Sequence, residues 1–121
     1  MKYLYIAGTV LFTVYGQLIM KWRISHYGPL PDSFSDKLIF FVHLLADWYI
    51  ISGFVAAFVA SLFWMAVMTK TDLSYAYPII TAGLTLLTTV MAIALLGETL
   101  SFPKVLGILL IISGIVVMQC N

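Results

Sequence analysis

The chain has 121 residues, of which 63% are hydrophobic and only 9% are charged. Soluble domains carry about 25% charged residues, so this composition excludes a soluble globular protein and indicates an integral membrane protein. The formal net charge of +1 gives no basic surface for nucleic acid, and a single cysteine excludes a disulfide framework. We expect no metal centre, no cofactor and no nucleic-acid partner.

The first apolar segment is long enough to cross a bilayer, which takes about 20 residues of helix. Residues 3–20 form this span, TM1, and Lys21 and Arg23 follow it, where long cationic side chains reach the headgroups. Residues 21–36 contain two prolines, a glycine and two aspartates, which predicts an aqueous loop.

The second apolar segment, residues 38–68, is too long for one untilted span. Asp47 interrupts it beside Trp48 and Tyr49, whose residue types favour the membrane interface. We predict an interfacial helix over residues 37–46, followed by TM2 over residues 48–68. One long tilted helix that projects from the membrane is the alternative.

The two remaining spans have short connections. A turn at Lys70–Asp72 precedes TM3, residues 73–96, and Gly97 to Thr99 ends it. Ser101 is a favourable N-cap and Pro103 suits the first turn of TM4, residues 103–118. The sequence therefore predicts an all-α integral membrane protein: one domain, residues 1–121, in which four spans form a compact bundle.

Four spans place both termini on one side of the membrane. Two lysines, Lys2 and Lys70, lie on that side, and four cationic residues lie on the other: Lys21, Arg23, Lys37 and Lys104. The positive-inside rule favours a cytoplasmic location for the second group. Because the excess is only two charges, insertion in either orientation remains open.

Small and polar residues recur at helical spacing on the first three spans. Such stripes serve close packing of membrane helices, or they line a polar cavity, and both interpretations stay open. Amide and phenol groups within a membrane need partners or water, which favours the cavity. The predicted substrate-binding residues are Thr9, Thr13, Gln17, Lys21, Trp64, Tyr75, Tyr77 and Thr85. On TM4, Gly107, Ser113 and Gly114 lie among large aliphatic residues and predict a helix contact at a dimer interface.

Three motifs carry a resemblance to a known family. The run Gly97-Glu98-Thr99-Leu100 and the run from Gly107 to Val116 resemble the closing signature of the drug/metabolite transporter superfamily. Residues 74–78, Ser-Tyr-Ala-Tyr-Pro, are similar to the start of the third helix in its four-span members. The pairs Gly16-Gln17 and Met20-Lys21 resemble the end of their first helix. The resemblance implies a small bacterial inner-membrane transporter rather than an enzyme.

Two four-span branches of that superfamily differ in TM1. The small multidrug resistance family uses a membrane-embedded glutamate there, and the shared ending of the helix aligns that glutamate with Thr13. Threonine cannot exchange a proton near neutral pH. The second branch comprises the paired flippase subunits for undecaprenyl-phosphate-linked aminoarabinose. Its members resemble this chain at Gly16-Gln17-Leu18, Lys21 and Ala76-Tyr77-Pro78, and they also lack the glutamate.

The resemblance implies a lipid-linked or small amphiphilic substrate, bound in a groove lined by TM1, TM2 and TM3. Lys21 and Arg23 are candidates to pair with its phosphate, although ordinary snorkelling to the headgroups also accounts for Lys21. We expect a homodimer, or a heterodimer with a homologous four-span subunit, arranged as an inverted repeat. Two alternatives remain open, namely an exporter of cations or small metabolites and a scaffold subunit that moves no substrate. No nucleophile–base constellation suggests an enzyme.

Overall fold

The computed structural model describes residues 2–120, and that range contains five α-helices. Four of the five are long and apolar enough to cross a membrane, and the short second helix is the exception. The predicted architecture of four spans with a short helix before the second span is confirmed. The helices are α1 (Lys2–Ile24), α2 (Phe34–Leu45), α3 (Trp48–Lys70), α4 (Leu73–Leu96) and α5 (Phe102–Gln119).

Side-chain caps account for several helix boundaries. The hydroxyl of Ser33 accepts a hydrogen bond from the backbone amide of Asp36 at 3.1 Å, so α2 begins three residues earlier than the sequence predicts. Asp47 caps α3 by accepting from the amide of Tyr49 at 2.8 Å. The second apolar segment is therefore two helices, broken at Ala46 and Asp47, instead of one long helix.

The first helix is also longer than predicted. It continues through Lys21 and Arg23 to Ile24, residues that the sequence analysis assigned to the loop. Both cations thus lie in the last turn of α1, where they complement the negative end of the helix dipole. This extra turn fixes the direction in which the two side chains leave the helix.

The closest helix contact joins α1 to α3 and depends on two glycines. A Cβ atom on Gly16 would lie 3.1 Å from the carbonyl oxygen of Gly53, and one on Gly53 would lie 3.0 Å from the side chain of Met20. Small residues let membrane helices approach in this way. Helix α4 crosses α1 at Val10, whose methyl group would lie 3.1 Å from a Cβ on Gly83.

Helix α5 lies at the edge of the bundle. None of its residues is buried, and it packs mainly against α4. Space around Gly107 and Gly114 is open, since a Cβ atom on either would meet no heavy atom within 4 Å. One long apolar helix of this protein therefore has most of its surface free for lipid or for another subunit.

We predict that Gly16→Val destabilises the bundle, because the added methyl groups would be forced against the α3 backbone. Overpacking of this kind costs about 1–3 kcal/mol. Ala7→Val is the matched control, since Ala7 is exposed on the same helix. Thermal unfolding of both variants in detergent tests the prediction, and equal melting temperatures would contradict it.

Candidate substrate-binding site

A cavity of about 270 Å³ lies between α1, α3 and α4 and brings together four of the predicted substrate-binding residues. These are Thr9 and Thr13 from α1, Trp64 from α3 and Tyr77 from α4. The rest of the lining consists of small or aliphatic residues and one serine: Ala57, Ala60, Ser61, Ile80 and Leu84. Neither aspartate nor glutamate is among them.

The polar groups of this cavity differ in their availability. Thr9 is buried, and its hydroxyl donates to the backbone oxygen of Tyr5 at 2.9 Å. This hydroxyl therefore cannot also donate a hydrogen bond to a substrate. Thr13, Trp64 and Tyr77 have no side-chain hydrogen bond to any residue between 2 and 120. A hydroxyl, an indole N–H and a phenol are therefore free to bind a substrate, and the rings of Trp64 and Tyr77 lie 6.0 Å apart.

The other four predicted substrate-binding residues lie outside this cavity. Gln17 and Lys21 are exposed on α1, beyond Thr13. Thr85 donates its hydroxyl to the backbone oxygen of Thr81 at 2.8 Å, a bond internal to α4. Tyr75 lines a different cavity at the α3–α4 turn. Four of the eight predicted substrate-binding residues thus line this cavity, and the other four lie elsewhere.

A larger and mainly apolar cavity, of about 660 Å³, lies on the other side of the α1–α4 crossing. Aliphatic side chains from both helices form most of its wall, including Leu11, Val14, Leu18, Leu87 and Met91. Trp22 and Tyr49 line the end of this cavity that is nearest the loop between α1 and α2. The bundle therefore offers a smaller cavity lined by hydroxyl, indole and phenol groups among apolar residues, and a larger cavity with mainly aliphatic walls, both beside α1 and α4.

Arg23, one of the two predicted phosphate ligands, is engaged in an ion pair. Its Nε donates to Oδ2 of Asp47 at 2.7 Å, and the Asp47 side chain is only 5% exposed. Tyr27 donates its hydroxyl to the same oxygen. The guanidinium also lies 4.9 Å from the ring centroid of Tyr49. Lys21 is consequently the cation that remains available at this end of α1.

The Asp47 cluster joins the end of α1 to the start of α3. None of the sequence-based predictions includes it, although the carboxylate of Asp47 between two apolar segments is the signal that indicates such a cluster. The hydrogen bond from Tyr27, together with the Arg23 pair and the Tyr49 amide, lowers the pKa of Asp47 from 3.8 to about 2, against the opposing effect of burial. The carboxylate is therefore ionised at every physiological pH.

Comparison with known proteins places the chain among small bacterial transport proteins. It is 32% identical over 115 residues to a probable 4-amino-4-deoxy-L-arabinose-phosphoundecaprenol flippase subunit ArnF of Aeromonas hydrophila, an alignment that covers 94% of this chain and 76% of the relative. The ArnF protein of Aeromonas salmonicida is 30% identical over 116 residues, with the same coverage. No protein-family profile matches the chain, and no solved structure matches it significantly.

A third relative carries a different name. The multidrug resistance protein EbrB of Bacillus atrophaeus is 29% identical over 117 residues, covering 96% of this chain and 84% of the relative. With four apolar helices and near full-length similarity to both kinds of protein, the family is settled. The chain is a small four-span member of the drug/metabolite transporter superfamily. It is a multi-pass membrane transporter and not an enzyme.

For this transporter we predict an acid-sensitive stability that depends on Asp47. A carboxylate whose pKa is lowered on folding stabilises the protein above its unfolded-state pKa and loses that contribution as the pH falls. The free energy of unfolding should therefore decrease between pH 3.8 and about 2.

Asp47→Asn should remove this part of the pH dependence, while Asp32→Asn, at an exposed loop position, should leave it intact. Thermal unfolding measured across this pH range, with the fluorescence of Trp22 beside the cluster as the signal, provides the test. Parallel curves for the wild type and Asp47→Asn would contradict the assignment.

Proposed function

We propose that this transporter flips a polyprenyl-phosphate-linked sugar, or a related amphiphile, across the bacterial inner membrane. The observation that carries the proposal is the donor set of the 270 Å³ cavity, which offers neutral donors at Thr13, Trp64 and Tyr77 and has no carboxylate in its lining. A carboxylate in that position would repel a phosphate at close range. Neutral donors instead bind the hydroxyl groups of a sugar and the oxygens of a phosphate.

The two cavities fit the two parts of such a substrate. A sugar headgroup needs hydrogen bonds while it is within the membrane, since unpaired polar groups there are costly. A prenyl chain needs only apolar surface, which the 660 Å³ cavity supplies beside the same helices. The ArnF relatives are named for an amino sugar, and a protonated amine is attracted to aromatic faces such as those of Trp64 and Tyr77.

Lys21 and Gln17 extend this site towards the loop side of the membrane. Both are exposed on α1: Gln17 lies about one turn beyond Thr13, and Lys21 about two turns beyond it. We infer that Lys21 meets the substrate phosphate near the surface, because Arg23 is already paired with Asp47. Gln17 then accompanies the headgroup between the surface and the cavity. Thr85 donates its hydroxyl to its own helix and lies outside the 270 Å³ cavity, so we assign it no contact with the substrate in this site.

The similarity to EbrB supports a second candidate function, the export of cations or small metabolites. Proton-coupled export needs a group that exchanges protons at the binding site. The lining of the 270 Å³ cavity contains no carboxylate and no histidine, since its polar members are threonine, serine, tryptophan and tyrosine side chains. The lipid substrate therefore remains the better match to the residues.

The lipids retained after gentle purification distinguish the two functions. We expect a polyprenyl-phosphate species in the wild type, reduced about 2- to 10-fold by Thr13→Val and Gln17→Leu, which each remove one hydrogen bond. Lys21→Ala should cause a larger loss because it removes a charged partner. Thr81→Val, outside the polar cavity, is the matched control.

Mass spectrometry of the purified variants measures this retention, and movement of the same lipid between leaflets of reconstituted vesicles measures transport. Normal retention and transport of the lipid by all three variants would contradict the proposed site. A preparation that lacks such a lipid but binds a lipophilic quaternary cation would favour the second function.

We also propose that the transporter works as an inverted pair, with a second copy or a homologous subunit. The ArnF relatives are named as subunits. Helix α5, on which Ser113 and Gly114 are exposed and Gly107 is half-buried, is the proposed interface. Exposed Gln17 gives a second reason, since a partner helix can supply the hydrogen bonds that lipid cannot.

Cys120 tests the inverted arrangement of a homodimer. It is the only cysteine in the chain, and it is exposed at the end of α5. In an inverted pair the two Cys120 side chains lie on opposite membrane surfaces, at least about 30 Å apart, which is far beyond disulfide distance. Mild oxidation should therefore leave dimers uncrosslinked. Rapid and quantitative Cys120 crosslinking in membranes would indicate a parallel dimer instead.

A further inference from the structure

A polar cavity of about 490 Å³ lies at the opposite end of the bundle from Lys21. The first turn of α1 and the turn between α3 and α4 form its walls, with Lys2, Lys70, Asp72 and Tyr75 among the lining residues. It shares no lining residue with the Thr13 cavity. Neither Lys2 nor Lys70 has a place in the site proposed above.

Lys2 is held in a defined position within this cavity. Its Nζ lies 4.8 Å from the ring centroid of Tyr75 and 5.2 Å from that of Tyr3. The hydroxyl groups of the two tyrosines are hydrogen-bonded to each other at 2.9 Å. Cation–π attraction to two linked rings orients the ammonium group. A lysine that merely snorkels to the surface has no such support from its surroundings.

The charges around the cavity favour an anionic ligand. Lys2 and Lys70 contribute two positive charges and Asp72 one negative charge, so the lining carries a net charge of +1. Neither lysine forms an ion pair in the part of the chain that the structure describes, where the one salt bridge joins Arg23 to Asp47. Both ammonium groups can therefore donate to oxygens of a ligand.

The location of the cavity indicates what kind of anion reaches it. Lys2 and Lys21 are 19 residues apart on α1, so a rise of 1.5 Å per residue separates them by about 28 Å, close to the thickness of the hydrocarbon core. Lys2 thus lies at one surface of the membrane and Lys21 at the other. At that depth the abundant anions are the phosphate groups of lipids.

We propose that this cavity is a second phosphate-binding site, which holds the phosphate group of a membrane lipid at the surface where the chain termini lie. Lys2 and Lys70 donate to the phosphate oxygens, and Tyr3 and Tyr75 position Lys2. This role also explains why Tyr75 lies away from the Thr13 cavity. The link to transport rests on the proposed function, in which the headgroup must be received at one surface and released at the other.

The first test measures lipid binding alone. The full-length transporter is placed in phosphatidylcholine nanodiscs that contain a minor fraction of phosphatidic acid, and the retained lipids are counted by native mass spectrometry. We expect selective retention of phosphatidic acid, and about a tenfold loss of it in the double variant Lys2→Gln/Lys70→Gln, because two charged hydrogen bonds are removed.

Two further variants control for net charge and for folding. Lys37→Gln/Lys104→Gln removes the same charge from the opposite side of the membrane and should retain the lipid at the wild-type level. Lys2→Arg/Lys70→Arg keeps both charges and should also retain it. Labelling of Cys120 with a membrane-impermeant thiol reagent checks that all variants insert with the same distribution of orientations as the wild type. Equal losses in the two glutamine variants, or no loss in either, would overturn the proposal.

Inorganic phosphate distinguishes a lipid ligand from a free anion. Millimolar phosphate should leave phosphatidic acid bound, because the lipid is concentrated in the membrane next to the site. Release of the lipid by free phosphate would overturn the assignment to a lipid headgroup. The outcome is independent of the transport assays: a loss of flipping in Lys21→Ala leaves this site unaffected, and loss of this site leaves lipid retention at Thr13 intact.

Discussion

The close contact between α1 and α3 is the constraint on which the other features of the structure depend. A Cβ atom on Gly16 would lie 3.1 Å from the Gly53 carbonyl oxygen, and one on Gly53 would lie 3.0 Å from the Met20 side chain, so both positions favour a residue without a side chain. Once these two helices are held together, α4 reaches α1 closely at the Val10–Gly83 crossing. The 270 Å³ and 660 Å³ cavities both lie beside this crossing. Small residues therefore determine where a substrate can fit.

The bilayer explains why the fold could be predicted and the site only partly. Its thickness fixes the length of a span, so apolar runs alone reveal four helices. Side chains within a span obey a finer geometry. Residues four apart are rotated by about 40°, because each residue turns the helix by about 100°. Thr9 and Thr13 share the cavity, but Gln17 is rotated further and is exposed. Gly16, seven residues after Thr9, stays on the inner face.

The same geometry separates the two tyrosines that the sequence grouped together. Tyr75 and Tyr77 are two residues apart and point about 200° away from each other, so no single cavity holds both. The pair formed by Arg23 and Asp47 required knowledge of the tertiary structure, since the two residues are 24 positions apart in the chain. Sequence periodicity identifies a helix face, but the angle at which helices cross decides which faces meet.

The distribution of cationic groups between the two membrane surfaces is consistent with the proposed inverted pair. One subunit presents Lys21 at one membrane surface and the Lys2–Lys70 cavity at the other. In an inverted pair each membrane surface then has Lys21 from one subunit and the Lys2–Lys70 cavity from the other. A phosphate therefore meets an equivalent set of cations on both sides. Such symmetry suits a transporter whose substrate enters and leaves as the same charged headgroup. The weak charge bias of the chain, two lysines against four cations, is consistent with insertion in both orientations.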